Sequence, residues 1–396
     1  MEKIGVIGAG ITGLFSALNL ALDGYQLTVI AFAVILIQNY IPLGSLEYGL
    51  IIASVIIGAI IGTIMVGYIS DLFGRRRIYL STLIFFIIFD LISVFSVTFI
   101  MLFISRVLLG IVLGAEYPVA NSYIAEVTPD EKRGFYLAMA TVFFSIGSIS
   151  SAIVAIFMFP YGNLGWRLML GVAIIPAVIV EFMRFSLPES KMWEEKKEKT
   201  KFFLMFSKRY YKNIVIAALI WFLYDIVAYG LSLTLPTILK LGHFVTNVDN
   251  AIVTTFFLII GIISGIFIMI KVDKYGRKGI QITGFLFMAA LFIVLPHFYY
   301  LAGIIAIVSF LELFNAFDGA TVGIIPAEVT ITEFRGSSYG FSSMMGKIGA
   351  VIGVIAMSLL IHGKNYFNAY YFLAAILVVA IMLTILLPET KKTVLK

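Results

Sequence analysis

The stretch DLFGRR at residues 71–76 is followed 202 residues later by DKYGRK at residues 273–278. Asp, Gly and Arg keep their places in both copies. The same spacing separates AEVT at residues 125–128 from AEVT at residues 327–330, and it also places Asp23 on Asp225. Three matches at one spacing are hard to obtain by chance, so the sequence indicates an internal duplication.

The composition assigns the chain to the lipid bilayer. Of its 396 residues, 61% are hydrophobic and 13% are charged, and the mean hydropathy is +1.06. A soluble chain carries roughly a quarter charged residues, so this one has too little polar surface to cover a water-soluble body. A membrane helix needs about 20 apolar residues. Twelve such runs are predicted, at residues 4–37, 47–69, 78–98, 99–124, 136–159, 166–186, 213–239, 250–270, 280–296, 300–326, 338–361 and 368–387.

The duplication and the runs together define two halves. Residues 1–187 are the predicted N-terminal half and residues 213–396 the C-terminal half, with six spans each. Residues 188–212 form a polar segment, which we interpret as a cytoplasmic linker. An even number of spans in each half makes the repeats parallel, related by an axis along the membrane normal.

Basic residues are distributed unevenly between the two ends of the spans. With the N-terminus in the cytoplasm, the outer loops hold only Arg167, Lys240 and Lys364, and every other loop Lys or Arg is cytoplasmic. This asymmetry predicts a multi-pass protein of the cell membrane with both termini in the cytoplasm. It also accounts for the net charge of +6 without a nucleic-acid partner.

Several classes of site are not expected. The chain has no cysteine, and His243, His297 and His362 have no metal-ligand spacing, so we predict no metal. Residues 3–13 contain GxGxxG after a short β-like run, but the strand and acidic residue that a dinucleotide site requires do not follow. No nucleophile and base are paired. We therefore expect neither a cofactor nor an enzyme.

The loop motifs resemble one transporter family. Residues 67–76 resemble the loop between helices two and three of major facilitator transporters, and Arg106-x3-Gly110-x3-Gly114 resembles their fourth helix. PES at residues 188–190 and PET at residues 388–390 resemble the motifs that close each half. The resemblance implies an all-α fold of twelve helices in two pseudo-symmetric halves and transport by alternating access. It also implies a cytoplasmic gate made by Asp71, Arg75, Glu126, Arg133, Asp273, Arg277, Glu328 and Arg335. The alternative is that these charges only anchor the loops.

Within the family, the likeness is to proton-coupled phosphate symporters and their organic-acid relatives. It is carried by Trp221-x3-Asp225-x3-Tyr229 and by residues 324–328 and 346–350. It implies a substrate site of Tyr117, Trp221, Asp225, Tyr229 and Lys347. The sequence departs from this group at Gly319, where the group has asparagine, at Phe144, where it has glutamine, and at Gln26, where it has a second acid. Sugar porters also place their proton carboxylate at the position of Gln26.

Ionisable residues inside the spans are costly and usually functional. We predict that Asp23 or Glu116 carries a coupled proton and that Arg106 pairs with Asp23. The alternative is that these groups are structural ion pairs between helices. Asp90, Glu312 and Asp318 receive no assigned role.

The function predicted is secondary active transport of a small polar, anionic solute such as phosphate or an organic acid, coupled to protons, by a monomer. Two alternatives remain open: a sugar or metabolite porter that works by uniport or antiport, and a transporter-like sensor that moves nothing.

Overall fold

A computed structural model describes residues 2–73, 75–127, 130–184, 211–241, 245–298, 300–329, 335–362 and 366–390. Side chains are described for residue 18 and for 20–63, 80–114, 143–182, 211–241, 245–268, 274–298, 300–326, 328–329, 338–362 and 368–390.

All regular elements in this part of the chain are helices. In chain order they are α1 (Glu2–Ile37), α2 (Ser45–Phe73), α3 (Arg75–Val94), α4 (Phe99–Val127), α5 (Asp130–Met158), α6 (Gly162–Gly171), α7 (Ile174–Arg184), α8 (Tyr211–Ser232), α9 (Leu235–Leu241), α10 (Asn247–Tyr275), α11 (Arg277–Val294), α12 (Leu301–Glu328), α13 (Arg335–His362) and α14 (Tyr366–Leu386). Short 3₁₀ turns follow α5 and α11, at Phe159–Tyr161 and Leu295–His297.

Twelve membrane crossings can be traced in the described ranges. Nine segments are long and apolar enough to span a bilayer, and the apolar parts of α3 and α4, Leu80–Val94 and Phe99–Gly114, are shorter. One of the nine, Phe143–Phe182, has 40 residues and contains both α5 and the pair α6–α7, which makes it two crossings. The described part of every predicted apolar run lies mainly on helices, and the twelve-helix prediction is confirmed. Residues 3–13 lie in α1, so their GxGxxG sits on a helix and the β-like run is absent.

Two crossings are interrupted where the sequence predicted continuous runs. The sixth breaks between α6 and α7, and the seventh between α8 and α9. In each case a proline, Pro176 or Pro236, lies in the first turn of the second helix. Proline has no N–H to donate to the carbonyl four residues earlier, and its ring clashes with that carbonyl. The residues concerned are Val172, directly after the end of α6, and Ser232, the last residue of α8.

The chain divides into two compact units. Unit 1 comprises Met1–Glu198 and Asn247–Ile252, and unit 2 comprises Lys199–Thr246 and Val253–Lys396. The predicted linker lies outside the described residues except for positions 211–212, so the division into halves at residues 187 and 213 stays a prediction.

In unit 1, α1 packs on α5 and α2 packs on α4 through glycines. A methyl group on Gly24 would overlap the backbone carbonyl of Phe144, and one on Gly147 that of Ala21. Gly58 and Gly62 of α2 meet the α4 backbone at Val107 and Ile111 in the same way. Small residues permit such close contact between membrane helices, where no hydrophobic effect drives association.

In unit 2, α8 packs on α13 through the same device. Gly349 and Gly353 of α13 leave no space for a side chain against the α8 backbone at Phe222 and Ile226. The contact fixes the side-chain positions of α8 relative to those of α13, and the candidate site is built on these two helices.

Candidate functional site

The α8 face that carries the predicted substrate residues is formed as the spacing requires. Trp221, Asp225 and Tyr229 are four residues apart, so they lie on one side of the helix. Asp225 is 6% exposed although it lies within an apolar span. A carboxyl group at this depth needs polar neighbours.

Helix α13 supplies those neighbours. Lys347 acts electrostatically on Asp225, and the Trp221 side chain hydrogen bonds to it. Gly346 leaves room for the Asp225 carboxyl and the Trp221 indole, because a methyl group there would lie 2.6 Å from Asp225 Oδ2 and 2.6 Å from Trp221 Nε1. The structure therefore brings four of the five predicted substrate residues, Trp221, Asp225, Tyr229 and Lys347, to one place.

The site contains one further residue, Tyr339, which was not predicted from the sequence. The Tyr339 ring meets Trp221 edge to face, with ring centroids 5.3 Å apart. The Asp225 carboxyl interacts electrostatically with the hydroxyl groups of both Tyr339 and Tyr229. No spacing rule could have identified Tyr339, because it lies over a hundred residues along the chain from α8. We call Trp221, Asp225, Tyr229, Tyr339 and Lys347 the Asp225 cluster.

The Asp225 cluster is chemically suited to a small anion or polar solute. An indole N–H, two phenol hydroxyls and an ammonium group can donate hydrogen bonds, and the last also carries a positive charge. The carboxyl group accepts hydrogen bonds when ionised and donates one when protonated. A pocket that combines apolar rings with a few polar groups is typical of small-molecule sites.

A polar chain links α8 to α12. The Tyr224 hydroxyl donates to Asn315 Oδ1 at 2.9 Å, and Asn315 Nδ2 lies 3.4 Å from Glu312 Oε2. Glu312 is thus tied to α8, a connection that the sequence did not reveal. Asp318, six residues further along α12, is fully buried.

In unit 1 the buried polar centre is Arg106. Its guanidinium donates to the Gln26 side chain at 2.5 Å and to the Gln26 carbonyl at 2.7 Å. Gln26 in turn donates to Asp90 at 2.9 Å, and Arg106 Nη1 lies 3.9 Å from Asp90 Oδ1. All three residues have no exposed surface. Asp90, for which the sequence suggested no role, is the ion-pair partner that the structure gives Arg106.

The other predicted proton-coupling residues are described only in part. Asp23 is 3% exposed, and its predicted pairing with Arg106 stays a prediction. The side chains of Glu116 and Tyr117 lie outside the described residues. A further buried acid, Glu181 on α7, is 6% exposed and was missed, although a carboxyl inside the apolar run 166–186 was a readable signal.

Two of the predicted gate residues form an ion pair in unit 2. Arg277 Nε and Nη2 donate to the two oxygens of Glu328 at 3.1 and 2.9 Å, and Thr390 donates to Glu328 Oε2 at 2.5 Å. Glu389 accepts from the backbone N–H groups of Arg277 and Lys278, at the start of α11. A carboxylate there satisfies N–H groups that no helical turn can pair. We call Arg277, Glu328, Glu389 and Thr390 the Arg277 cluster.

The PET motif therefore has a direct physical role, since two of its residues hold the Arg277–Glu328 pair. Gly276 joins α10 to α11 and has a φ of +89°, a backbone conformation that favours glycine. The side chains of the other predicted gate residues lie outside the described residues; they are Asp71, Arg75, Glu126, Arg133, Asp273 and Arg335. Among the described residues, no group of His, Asp and Glu could hold a metal ion.

Two family models match the chain. Residues 12–203 match the model described as "Sugar (and other) transporter", and residues 245–396 match "Major Facilitator Superfamily".

Curated relatives carry different solutes. An inner membrane metabolite transport protein of Escherichia coli is 25% identical over 93% of this chain and 89% of its own length. A repressible high-affinity phosphate permease of Neurospora crassa is 27% identical over 86% of this chain and 76% of its own. A D-xylose transporter of Levilactobacillus brevis is 38% identical, but over 46% of this chain and 40% of its own.

Solved structures share the fold. A D-xylose-proton symporter superposes with a TM-score of 0.83 at 23% identity, covering 96% of this chain and 98% of its own. The inward open xylose transporter from E. coli gives a TM-score of 0.81, at 23% identity over 97% of each chain. At this identity the likeness concerns the fold alone.

Proposed function

The chain belongs to the major facilitator superfamily of secondary transporters, and from that premise we propose that it carries phosphate or a small organic anion together with protons. The solute crosses unchanged, as the two halves expose it alternately to each side of the membrane. The protein needs no cofactor for this, and it acts as a monomer in the cell membrane.

The observation that carries this proposal is the electrostatic interaction of Lys347 on α13 with Asp225 on α8, inside an apolar span. Lys347 supplies the positive charge that an anion requires. Trp221 and the two tyrosines supply donors without adding negative charge. A sugar can be bound by groups that both donate and accept, such as the two phenol hydroxyls, whereas the positive charge of Lys347 favours an anion.

Asp225 can respond to the bound anion. Once the anion engages the lysine, an ionised Asp225 faces a second negative charge, and binding a proton removes this repulsion. A protonated Asp225 can then donate a hydrogen bond to the substrate. In this scheme binding of the anion and binding of a proton favour each other.

Coupling in the first half is assigned to Asp23, Glu116 and Arg106. The Arg106 guanidinium is bound by Gln26 and Asp90, and these two residues hold its charge between α1, α3 and α4. A proton arriving at an acid near Arg106 changes the balance of charge around the guanidinium. Arg106 is therefore proposed to set the proton affinity of its neighbours.

The Arg277 cluster is proposed to face the cytoplasm, in line with the positive-inside asymmetry of the sequence. The same is proposed for the gate residues of the first half, Asp71, Arg75, Glu126 and Arg133. They close that side of the transporter in one state. Substrate, protons and the lipid bilayer are the partners that this function requires.

The test is uptake of labelled phosphate into proteoliposomes, with and without an inward proton gradient. The variants are Asp225→Asn and Lys347→Ala, and the control is Lys212→Ala, which removes an exposed lysine at the start of α8. We expect gradient-driven uptake by the native chain and the control, and none by the two site variants. Absence of phosphate uptake by correctly inserted protein would refute phosphate as the substrate and direct the search to organic acids.

A sugar is the second candidate, because 46% of the chain is 38% identical to a D-xylose transporter and residues 12–203 match the sugar transporter model. The same liposomes loaded with unlabelled xylose and exposed to labelled xylose would detect exchange. Xylose exchange that survives Lys347→Ala would favour a sugar porter, working by uniport or antiport, over an anion symporter. Proteoliposomes that take up none of these solutes would favour a sensor.

A further inference from the structure

Asp318 occupies in α12 the place that Glu116 occupies in α4. The same Ala-Glu pair lies in the last turn of each helix, at residues 125–126 in α4 and 327–328 in α12, 202 residues apart. Because each helix is continuous, this match fixes the alignment of α4 with α12 along their whole length. In that alignment Glu116 corresponds to Asp318. The duplication therefore places a carboxyl group at one equivalent point in each half, as it does with Asp23 and Asp225.

The Asp318 carboxyl is buried without a polar partner among the described residues. The residue has no exposed surface, and neither carboxyl oxygen accepts or donates a hydrogen bond. The carboxyl fills the space above Gly284 of α11, where a methyl group would lie 2.5 Å from Oδ1 and 2.6 Å from Oδ2. One turn away on α11, the Nε2 of Gln281 is also buried and lacks a hydrogen bond.

The groups around Asp318 that can carry charge are few. From α8, the Tyr224 hydroxyl is within electrostatic range of the carboxyl. On α12 itself Glu312 lies six residues away and is held by Asn315. From α11, Gly284 and Gln281 do not ionise. The Lys347 ammonium of α13 acts on Asp225, so no described cation is paired with Asp318.

An ionised carboxyl without a cation or hydrogen-bond donor is costly in a bilayer, and such groups are usually proton relays or ion sites. A bound metal ion would need several oxygen ligands, and the described side chains provide no such group. A proton needs only the carboxyl itself. We propose that Asp318 is a proton-binding site in the second half, the counterpart of Glu116, and that its proton exchanges with water during the conformational cycle. This deepens the proton coupling proposed above, on which its functional meaning rests.

The test uses a hydrophobic carbodiimide on the purified full chain in liposomes, followed by peptide mass spectrometry. The protonated carboxyl adds across one C=N bond of the reagent and rearranges to a stable N-acylurea, and no other reactant is consumed. We expect labelling at Asp318 in acid that falls by about tenfold or more as the pH is raised through the range in which its proton exchanges. Asp249, an exposed acid at the start of α10, should react instead with a water-soluble carbodiimide.

Two variants connect the label to the site. Gly284→Ala adds the methyl group that displaces the carboxyl, and it should reduce labelling of Asp318 several-fold. Gly279→Ala is the matched control on the same helix, because a methyl group there meets nothing within 4 Å. Asp318→Asn keeps the shape of the neutral acid and should abolish proton-driven accumulation of phosphate while solute exchange persists.

Absence of label at Asp318 at every pH, or equal labelling across the whole pH range, would overturn the proposal. So would full proton-driven accumulation by Asp318→Asn. Labelling requires no substrate, so a failure of phosphate transport would leave it intact, and the two proposals fail separately.

Discussion

Three glycines on α13 should respond to the same substitution in three different ways. Gly340 has nothing within 4 Å of an added methyl group, Gly346 faces the side chains of Trp221 and Asp225, and Gly349 faces the α8 backbone. We expect Gly340→Ala to leave stability and transport unchanged, Gly346→Ala to impair transport, and Gly349→Ala to lower stability by separating α8 from α13.

The magnitude for Gly349→Ala follows from the geometry. The new methyl group would lie 2.9 Å from the Phe222 carbonyl carbon, whereas carbon atoms in good contact are about 3.5–4.0 Å apart. A backbone cannot rotate away, so the helices must separate. Overpacking of this kind costs about 1–3 kcal/mol, which for a body of this size lowers the Tm by roughly 5 °C.

The magnitude for Gly346→Ala is different because its neighbours are side chains. Asp225 Oδ2 would be 2.6 Å from the methyl group, and the carboxyl and indole can turn to relieve the clash. The Tm should therefore change little. Transport should fall by about a hundredfold, since displacement of positioning groups by about 1 Å has effects of that order.

The assay pairs thermal unfolding of the purified variants with uptake into proteoliposomes. Equal Tm losses for Gly346→Ala and Gly349→Ala would refute the reasoning, because they would mean that side chains and backbone yield alike. A Tm loss for Gly340→Ala would refute it as well, since alanine there gains helix propensity without contact.

Two further predictions concern ion pairs. Glu328→Gln removes the partner of Arg277 but keeps an acceptor for Thr390, so it should cost about 2 kcal/mol, more than the roughly 1 kcal/mol expected for Thr390→Val; a reversed order of Tm losses would contradict the bidentate pair. Asp90→Asn leaves Arg106 buried without its counter-ion and should cost about 3–5 kcal/mol, part of which Asp90→Asn with Arg106→Gln restores; a double variant no more stable than the single one would contradict this.

The helices were predictable because hydropathy alone decides which segments cross a bilayer. The predicted run 250–270 lies within α10, Asn247–Tyr275, and the run 338–361 lies within α13. The breaks at Pro176 and Pro236 were not predicted, although both prolines stand in the sequence. An apolar run scores the same whether its helix is continuous or broken, and a proline alone does not decide between the two, because Pro326 lies inside the continuous helix α12.

The candidate site divides along a similar line. Trp221, Asp225 and Tyr229 could be grouped from spacing, because residues four apart share a helix face. Asp90 could not be assigned to Arg106, since the pairing of α3 with α4 and the bridge through Gln26 are properties of helix packing. The Arg277–Glu328 pair was expected from family resemblance, but the part played by Glu389 and Thr390 came from the structure.

Inside the spans, two acids have acidic counterparts in the other half, and two bases have no basic counterpart. Asp23 and Glu116 have carboxyl counterparts in Asp225 and Asp318, whereas Arg106 falls on Val308 and Lys347 on Ser145. Buried acids with equivalent positions but different cations sit in different electrostatic surroundings. In unit 1 the described cation is clamped by Gln26 and Asp90, while in unit 2 Lys347 acts on an acid that lies among aromatic rings. The two halves have therefore diverged in the positions of these buried positive charges, and under the proposed function those charges decide where the anion binds.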